Sequence, residues 1–234
     1  SIYREELKTI RDYEQQKRDL RVEQIDNTLN QLTKYETNNK VTKIFEKHED
    51  DNIDHLNPWF CEVTGLYHLW KNSTSKNDIV GLEHYRRQFV NQKGQLLSEQ
   101  EIRDLLSDCE MLCAYDDARG PSLFYRLSDY GIGKCSEVFK YVMFAIRYLD
   151  ERTGLAFQNF IAATNHVQFN MFICKYELID EYCKWLEQIF KIVNQQIPLE
   201  KSAKRSLGYI CEIALFPFFA MQHKNKILKP RIYK

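Results

Sequence analysis

The sequence carries no net charge: 33 Lys and Arg balance 33 Asp and Glu over 234 residues. That balance argues against general nucleic-acid or membrane-surface binding, which needs a basic excess to meet phosphate. A long apolar run is also missing. The greasiest stretch, Ile210–Met221, is broken by Glu212 and Pro217 and falls short of the ~20 residues that span a bilayer. There is no Cys-x-x-Cys pair. The seven cysteines, Cys61, Cys109, Cys113, Cys135, Cys174, Cys183 and Cys211, are scattered and odd in number. They lack zinc-site spacing and read as reduced, mostly buried thiols of a cytosolic protein. The charged first residues do not form a signal peptide, and no internal repeat or low-complexity tract is found.

What is present suits a packed domain. Apolar residues make up 44% of the chain, enough to bury a core. Aromatics reach 13%, which serves either core filling or a cleft that stacks on flat or sugar-like ligands. Tyr3 to Tyr35 holds neither glycine nor proline, and Val22, Ile25, Leu29 and Leu32 recur at three- and four-residue steps. This spacing predicts a helix with one narrow apolar stripe. Residues 1–40 are read as an N-terminal helical arm, with room for a homodimer or a further domain, ahead of a domain over 41–234. Val41–Phe45 is a short strand or a helical turn.

Asn57-Pro58 starts a helix that continues to Lys71, with Trp59, Val63, Leu66 and Trp70 on one face. Asp78–Leu82 is a buried strand with His84-Tyr85-Arg86-Arg87 at its carboxyl end. Ser98 and Glu101 form a capping box for a helix through Leu106. Met111–Ala114 is a second buried strand, ending at Tyr115-Asp116-Asp117. Ala118–Lys134, with Gly120, Pro121, Gly131 and Gly133, is a candidate lid. Cys135–Asp150 is helical, Val167–Ile173 is β-prone and Tyr176–Val193 is an amphipathic helix. Lys204–Gln222 is a last apolar helix interrupted at Pro217, and the basic tail is a strand or frayed. Strands alternating with helices predict an α/β layered sheet with ligand-binding loops at the carboxyl ends of the strands.

Several residues have the chemistry of a site. Arginine presents a planar fork of donors that suits phosphate. Alternation along a strand end would put His84 and Arg86 on one face and Arg87 on the other; a surface cluster with a structural salt bridge is the other reading. Glu62, near Thr64, either pairs with an arginine of 84–87 as a structural partner, the expected role, or acts directly in catalysis. Lys71 and Asn72 end their helix and either face a ligand or satisfy its last carbonyls. Asn170, an amide inside an apolar strand, either bonds buried backbone or faces a cleft. Glu212, a lone carboxylate in a greasy helix, is a general base or the partner of Arg205 or Arg86. Asp116-Asp117 either holds Mg²⁺ or Mn²⁺ or makes a solvated turn.

The block from Asn57-Pro58 through Cys61-Glu62-Val63-Thr64, Trp70-Lys71-Asn72 and Gly81 to His84-Tyr85-Arg86-Arg87 resembles a bacterial glycosyltransferase-like family found in capsular and exopolysaccharide gene clusters. Asn170-Met171-Phe172-Ile173 with Glu181–Leu186, and Arg205 through Gly208 to Glu212, are similar to its later blocks. Two features depart from the pattern. Ile213 stands where the family has Arg, and the His-Lys strand with which members open is not found in Tyr3–Tyr35. The resemblance implies a single-domain, mixed-sheet glycosyltransferase-A-like fold. It implies transfer of a sugar from a nucleotide-diphosphate donor to a glycan or lipid-linked acceptor in surface polysaccharide synthesis, at the cytoplasmic face of the membrane. His84 and Glu212 would be catalytic. Tyr85, Arg86, Arg87, Asn170, Lys71 and Asn72 would bind the donor, and Glu62, Thr64 and Arg205 would support the site. Because His84-Tyr85-Arg86 takes the place of the fold's acidic metal-binding motif, fixed cations would stand in for a metal. The competing reading is a non-catalytic binding or assembly module.

Overall fold

The computed structural model describes residues 52–72, 79–84, 86–115, 135–163 and 167–232, with Leu123 and Leu127. All lie within one compact unit, His48–Lys234. The expected arm at 1–40, Val41–Phe45, Tyr85, Asp116, Asp117 and, apart from Leu123 and Leu127, the candidate lid at 118–134 lie outside the described residues.

In chain order the elements are α1 (Asn57–Phe60), α2 (Val63–Asn72), β1 (Ile79–Leu82), β2 (Arg87–Gln88), α3 (Glu99–Ser107), β3 (Met111–Tyr115), α4 (Cys135–Leu149), α5 (Glu151–Ala162), β4 (Val167–Lys175), α6 (Tyr176–Gln196), α7 (residues 206–221), β5 (Asn225–Leu228) and β6 (Arg231–Ile232). A four-stranded sheet has the order β1-β4-β3-β5. β4 runs antiparallel to both β1 and β3, while β5 runs parallel to β3. The sheet is therefore mixed. β1, β3 and β5 point the same way, so their carboxyl ends and the first half of β4 share one edge. A second, two-stranded pair joins β2 to β6.

Side chains alternate across this sheet as strand geometry demands. Val80, Leu82, Met111, Cys113, Phe172 and Cys174 face a large core shared with the helices. Leu112, Ala114, Met171 and Ile173 face a smaller one with Phe89 and, from α3, Ile102, Leu105 and Leu106. The sheet is thus covered on both faces, as its near-continuous apolar strands require.

The capping box at Ser98 is present: Glu101 N–H donates to Ser98 Oγ at 3.3 Å and Ser98 N–H to Glu101 Oε2 at 2.8 Å. Helix α5 was not anticipated, though its start is legible, since Asp150 accepts from Thr153 N–H at 2.6 Å as an N-cap. Two predicted helices are not continuous. The helix expected from Pro58 to Lys71 breaks at Cys61, whose φ is 51°. The last helix is disturbed one turn ahead of Pro217: Ser206–Ile210 and Phe216–Met221 are α-helical, and Cys211–Leu215 between them is a π segment. Proline lacks an N–H and its ring crowds the carbonyl four residues back, so the wider turn falls just before it.

Candidate functional site

The break at Cys61 is held by a local clasp. Asn57 Nδ2 donates to Cys61 O and to Thr64 Oγ1, both at 3.0 Å, and Thr64 Oγ1 donates to Cys61 O at 2.9 Å. From the other side Arg205 N–H donates to Pro58 O at 2.7 Å. Gly208 lets α7 come this close: a methyl added there would lie 2.8 Å from Cys61 Sγ and 3.0 Å from Phe60 O. The result is that Glu62, next after the break, leaves the helical line.

Glu62 faces Asn170, whose Nδ2 is 3.5 Å from Glu62 Oε1. Asn170 sits in a bulge of β4. Two steps along β3 face five along β4 between the pairs Cys113–Phe172 and Tyr115–Val167. Phe169 and Asn170 take φ of 72° and 52°. Together with Cys61 and Arg205 (φ 66°) they are the four non-glycine residues with positive φ among the described residues. Cys61 precedes Glu62, Asn170 contacts it, Arg205 acts on its charge, and Phe169 directly precedes Asn170. Each such residue costs on the order of 1–2 kcal/mol, and strain concentrated like this marks functional sites.

The electrostatics match. Burial pushes the Glu62 carboxyl up, and the Glu212 carboxylate adds to this, to about 7. Its own backbone amide, Asn170 and the Arg205 charge pull the other way. The Arg205 guanidinium bonds the Cys61 thiol, whose pKa burial still raises. Asn170 is fully buried and its Oδ1 has no partner among the described residues. Glu62 therefore meets Asn170, Glu212 and Arg205. The sequence had paired it with the 84–87 segment, because contacts to the π segment of α7 leave no local pattern.

The 84–87 segment is a tight turn rather than a continued strand, closed by Arg87 N–H donating to His84 O at 3.0 Å. The turn puts His84 with Arg87, not with Arg86. The His84 Nε2–H donates to Phe169 O at 2.6 Å. The Arg87 guanidinium lies 3.9 Å over the Phe169 ring, and its Nε is buried with no partner among the described residues. Burial lowers the His84 pKa, aided by the Arg87 charge and opposed by the Phe169 carbonyl. His84 is thus tied to the bulge through the Phe169 carbonyl. Arg86 is half-buried in the turn.

Lys71 and Asn72 do not join the group. Lys71 Nζ sits 3.6 Å over the Trp70 ring, and Asn72 Nδ2 donates to His68 O at 3.0 Å. Tyr176 O–H donates to Trp70 O at 2.6 Å, which ties this end of α2 to the far end of β4. The end of α2 that carries these residues therefore lies by Tyr176, at the opposite end of β4 from the bulge that holds Asn170. A cavity of about 440 Å³ lies elsewhere, between α1, α2 and the latter part of α6. Its lining is mostly apolar, with Glu187, Lys191 and Glu200 as its charged members, and includes no predicted site residue.

Among the described residues no group of three His, Cys, Asp or Glu is placed to hold a metal ion. All seven cysteines are free thiols, six of them buried. No described helix is long and apolar enough to cross a membrane.

The fold has a solved counterpart. An apo structure of the bifunctional glycosyltransferase WbbM matches with a TM-score of 0.66 at 20% identity, over 80% of this chain and 38% of that one. The chain thus spans about two-fifths of that protein, and at this identity the likeness is one of fold: a mixed-sheet α/β domain of the kind a glycosyltransferase uses. Among curated proteins, none matches. Over residues 9–225 the sequence matches the family described as Domain of unknown function (DUF4422), and the chain belongs to it.

Proposed function

We propose that this domain transfers a sugar from a nucleotide-diphosphate donor to a glycan or lipid-linked acceptor in bacterial surface polysaccharide synthesis. The observation that carries the reading is a pair of buried polar atoms without partners among the described residues, one on the arginine that lies over the Phe169 ring and one on the residue after Phe169. Arg87 Nε is a donor and Asn170 Oδ1 an acceptor, and an unmet buried polar group costs about 1–3 kcal/mol. Both belong to the edge where β1, β3 and β5 end, the usual ligand edge of such sheets. Phosphate oxygens of the donor would satisfy Arg87, with Arg86 beside it in the turn, and a sugar hydroxyl would satisfy Asn170. Fixed guanidinium charge would stabilise the departing diphosphate without a divalent ion. On the acceptor side a carboxylate of the Glu62–Glu212 pair would receive the hydroxyl proton.

The test is thermal unfolding with a panel of nucleoside diphosphates and their sugars, followed by transfer assays with and without EDTA. At 100 times its dissociation constant a true donor adds about 2.7 kcal/mol of stability, and R87A abolishes that gain. A panel that neither shifts the unfolding transition nor yields transferred sugar refutes the transferase. Transfer abolished by EDTA and restored by Mn²⁺ refutes metal independence alone.

A further inference from the structure

The sequence singles out Glu212 as a base and gives Glu62 a supporting part. The geometry divides the roles differently. We infer that Glu62 is the group that takes the proton of the acceptor hydroxyl, an assignment that rests on the transferase reading above.

Three placements argue for it. The left-handed Cys61 and the Asn57–Thr64 clasp turn Glu62 out of the α1–α2 line toward β4. Asn170 meets its Oε1 at 3.5 Å. Along β4 Asn170 directly follows Phe169, the residue whose ring carries the Arg87 guanidinium. A carboxylate and a cation thus flank one short stretch of backbone. This is the disposition a displacement at an anomeric carbon needs, with base on the acceptor side and positive charge on the leaving side.

The step balances. The acceptor O–H gives its proton to the Glu62 carboxylate while the oxygen forms a bond to the anomeric carbon. The bond from that carbon to the diphosphate oxygen breaks, and the electron pair leaves with the diphosphate toward the arginines.

Asn170 is suited to both forms of Glu62. Its Nδ2 donates to the carboxylate, and after an amide turn its unpartnered Oδ1 accepts from the carboxylic acid. The titratable and charged neighbours of Glu62 are Cys61 beside it, Arg205 at the start of α7, Cys211 and Glu212 in the π segment, and Tyr182 from α6. Burial holds Tyr182 and Cys211 neutral. Burial is the main reason Glu62 is basic, the like charge of Glu212 adds to it, and Arg205 is a cation that limits the effect. A base holding its proton near neutrality is matched to abstraction from a hydroxyl.

The experiment measures kcat and KM for transfer across roughly pH 5 to 9 for wild type, E62Q, E62D and E212Q, with nucleoside diphosphate binding followed by thermal shift. E62Q is expected to lower kcat by about 100- to 10,000-fold, leave nucleoside diphosphate binding unchanged and erase the acidic limb of the profile. E62D should keep that limb at reduced kcat, and E212Q should keep the limb but displace it toward acid. An E62Q enzyme that retains wild-type kcat and its limb overturns the assignment while the transferase stands. A wild type that neither binds a nucleoside diphosphate nor transfers sugar brings down both.

Discussion

Gly208→Ala is the sharpest probe of how the site is held. The added methyl would meet Cys61 Sγ at 2.8 Å, Cys61 Cβ at 2.9 Å and Phe60 O at 3.0 Å. The last two are backbone or backbone-attached, so a rotamer change cannot relieve them. Overpacking of this kind costs about 1–3 kcal/mol, and the upper half applies where neither neighbour can yield. Alanine returns about 1 kcal/mol of helix propensity over glycine. The expected net loss is about 1–2 kcal/mol, read as a lower urea midpoint at constant m-value. Adding C61G removes two of the three contacts and also frees the position whose φ is 51°. The double mutant should therefore be more stable than the sum of the two single effects, by about 1 kcal/mol. Because Glu62 follows Cys61, G208A should also reduce transfer more than its stability loss explains. A G208A protein as stable as wild type, or a double mutant that is merely additive, would refute the close approach of α7 to the helix break.

Three further outcomes follow from the same geometry. The Glu62 pKa is raised from 4.5 to about 7 in the folded state. Its stabilising contribution is therefore fully present below pH 4.5 and lost as pH rises through about 7. The stability difference between wild type and E62Q should fall by on the order of 2–3 kcal/mol across that window, and a difference flat with pH contradicts the burial of the carboxyl. Asn170 has φ 52°, so N170A should be about 1 kcal/mol less stable than N170G, although both lose the contact to Glu62; the reverse order in urea unfolding contradicts the bulge. S98A removes one half of the capping box on α3 and should cost about 1 kcal/mol with transfer activity untouched.

Much of the scaffold is readable because its signals are local. Apolar alternation marks β3 and β4, three- and four-residue spacing marks α4 and α6, and Ser98 with Glu101 starts α3. Asn170 and Glu212 also stand out, as single polar residues in apolar runs, and both belong to the cluster around Glu62. Arg87 was read from its type and was placed on the wrong face, because alternation assumes a strand where the chain makes a turn. The interruption of the last helix was expected at Pro217 itself and falls a turn earlier, at the π segment Cys211–Leu215, since only the packed helix shows where the strain is taken up.

The sequence by itself determined the α/β layering, the free buried thiols and a shortlist of polar residues out of keeping with their surroundings, because each depends on periodicity or composition along the chain. Only the tertiary structure decided which of them act together. No glycine or proline announces the break at Cys61, which is held in part by Arg205 and Gly208 from a distant segment. That break turns Glu62 toward Asn170 and Glu212, and the bulge it faces takes a hydrogen bond from His84. Positive φ imposed by remote packing and the sharing of charge between carboxylates far apart in sequence are properties of the folded arrangement, and no window along the chain contains them.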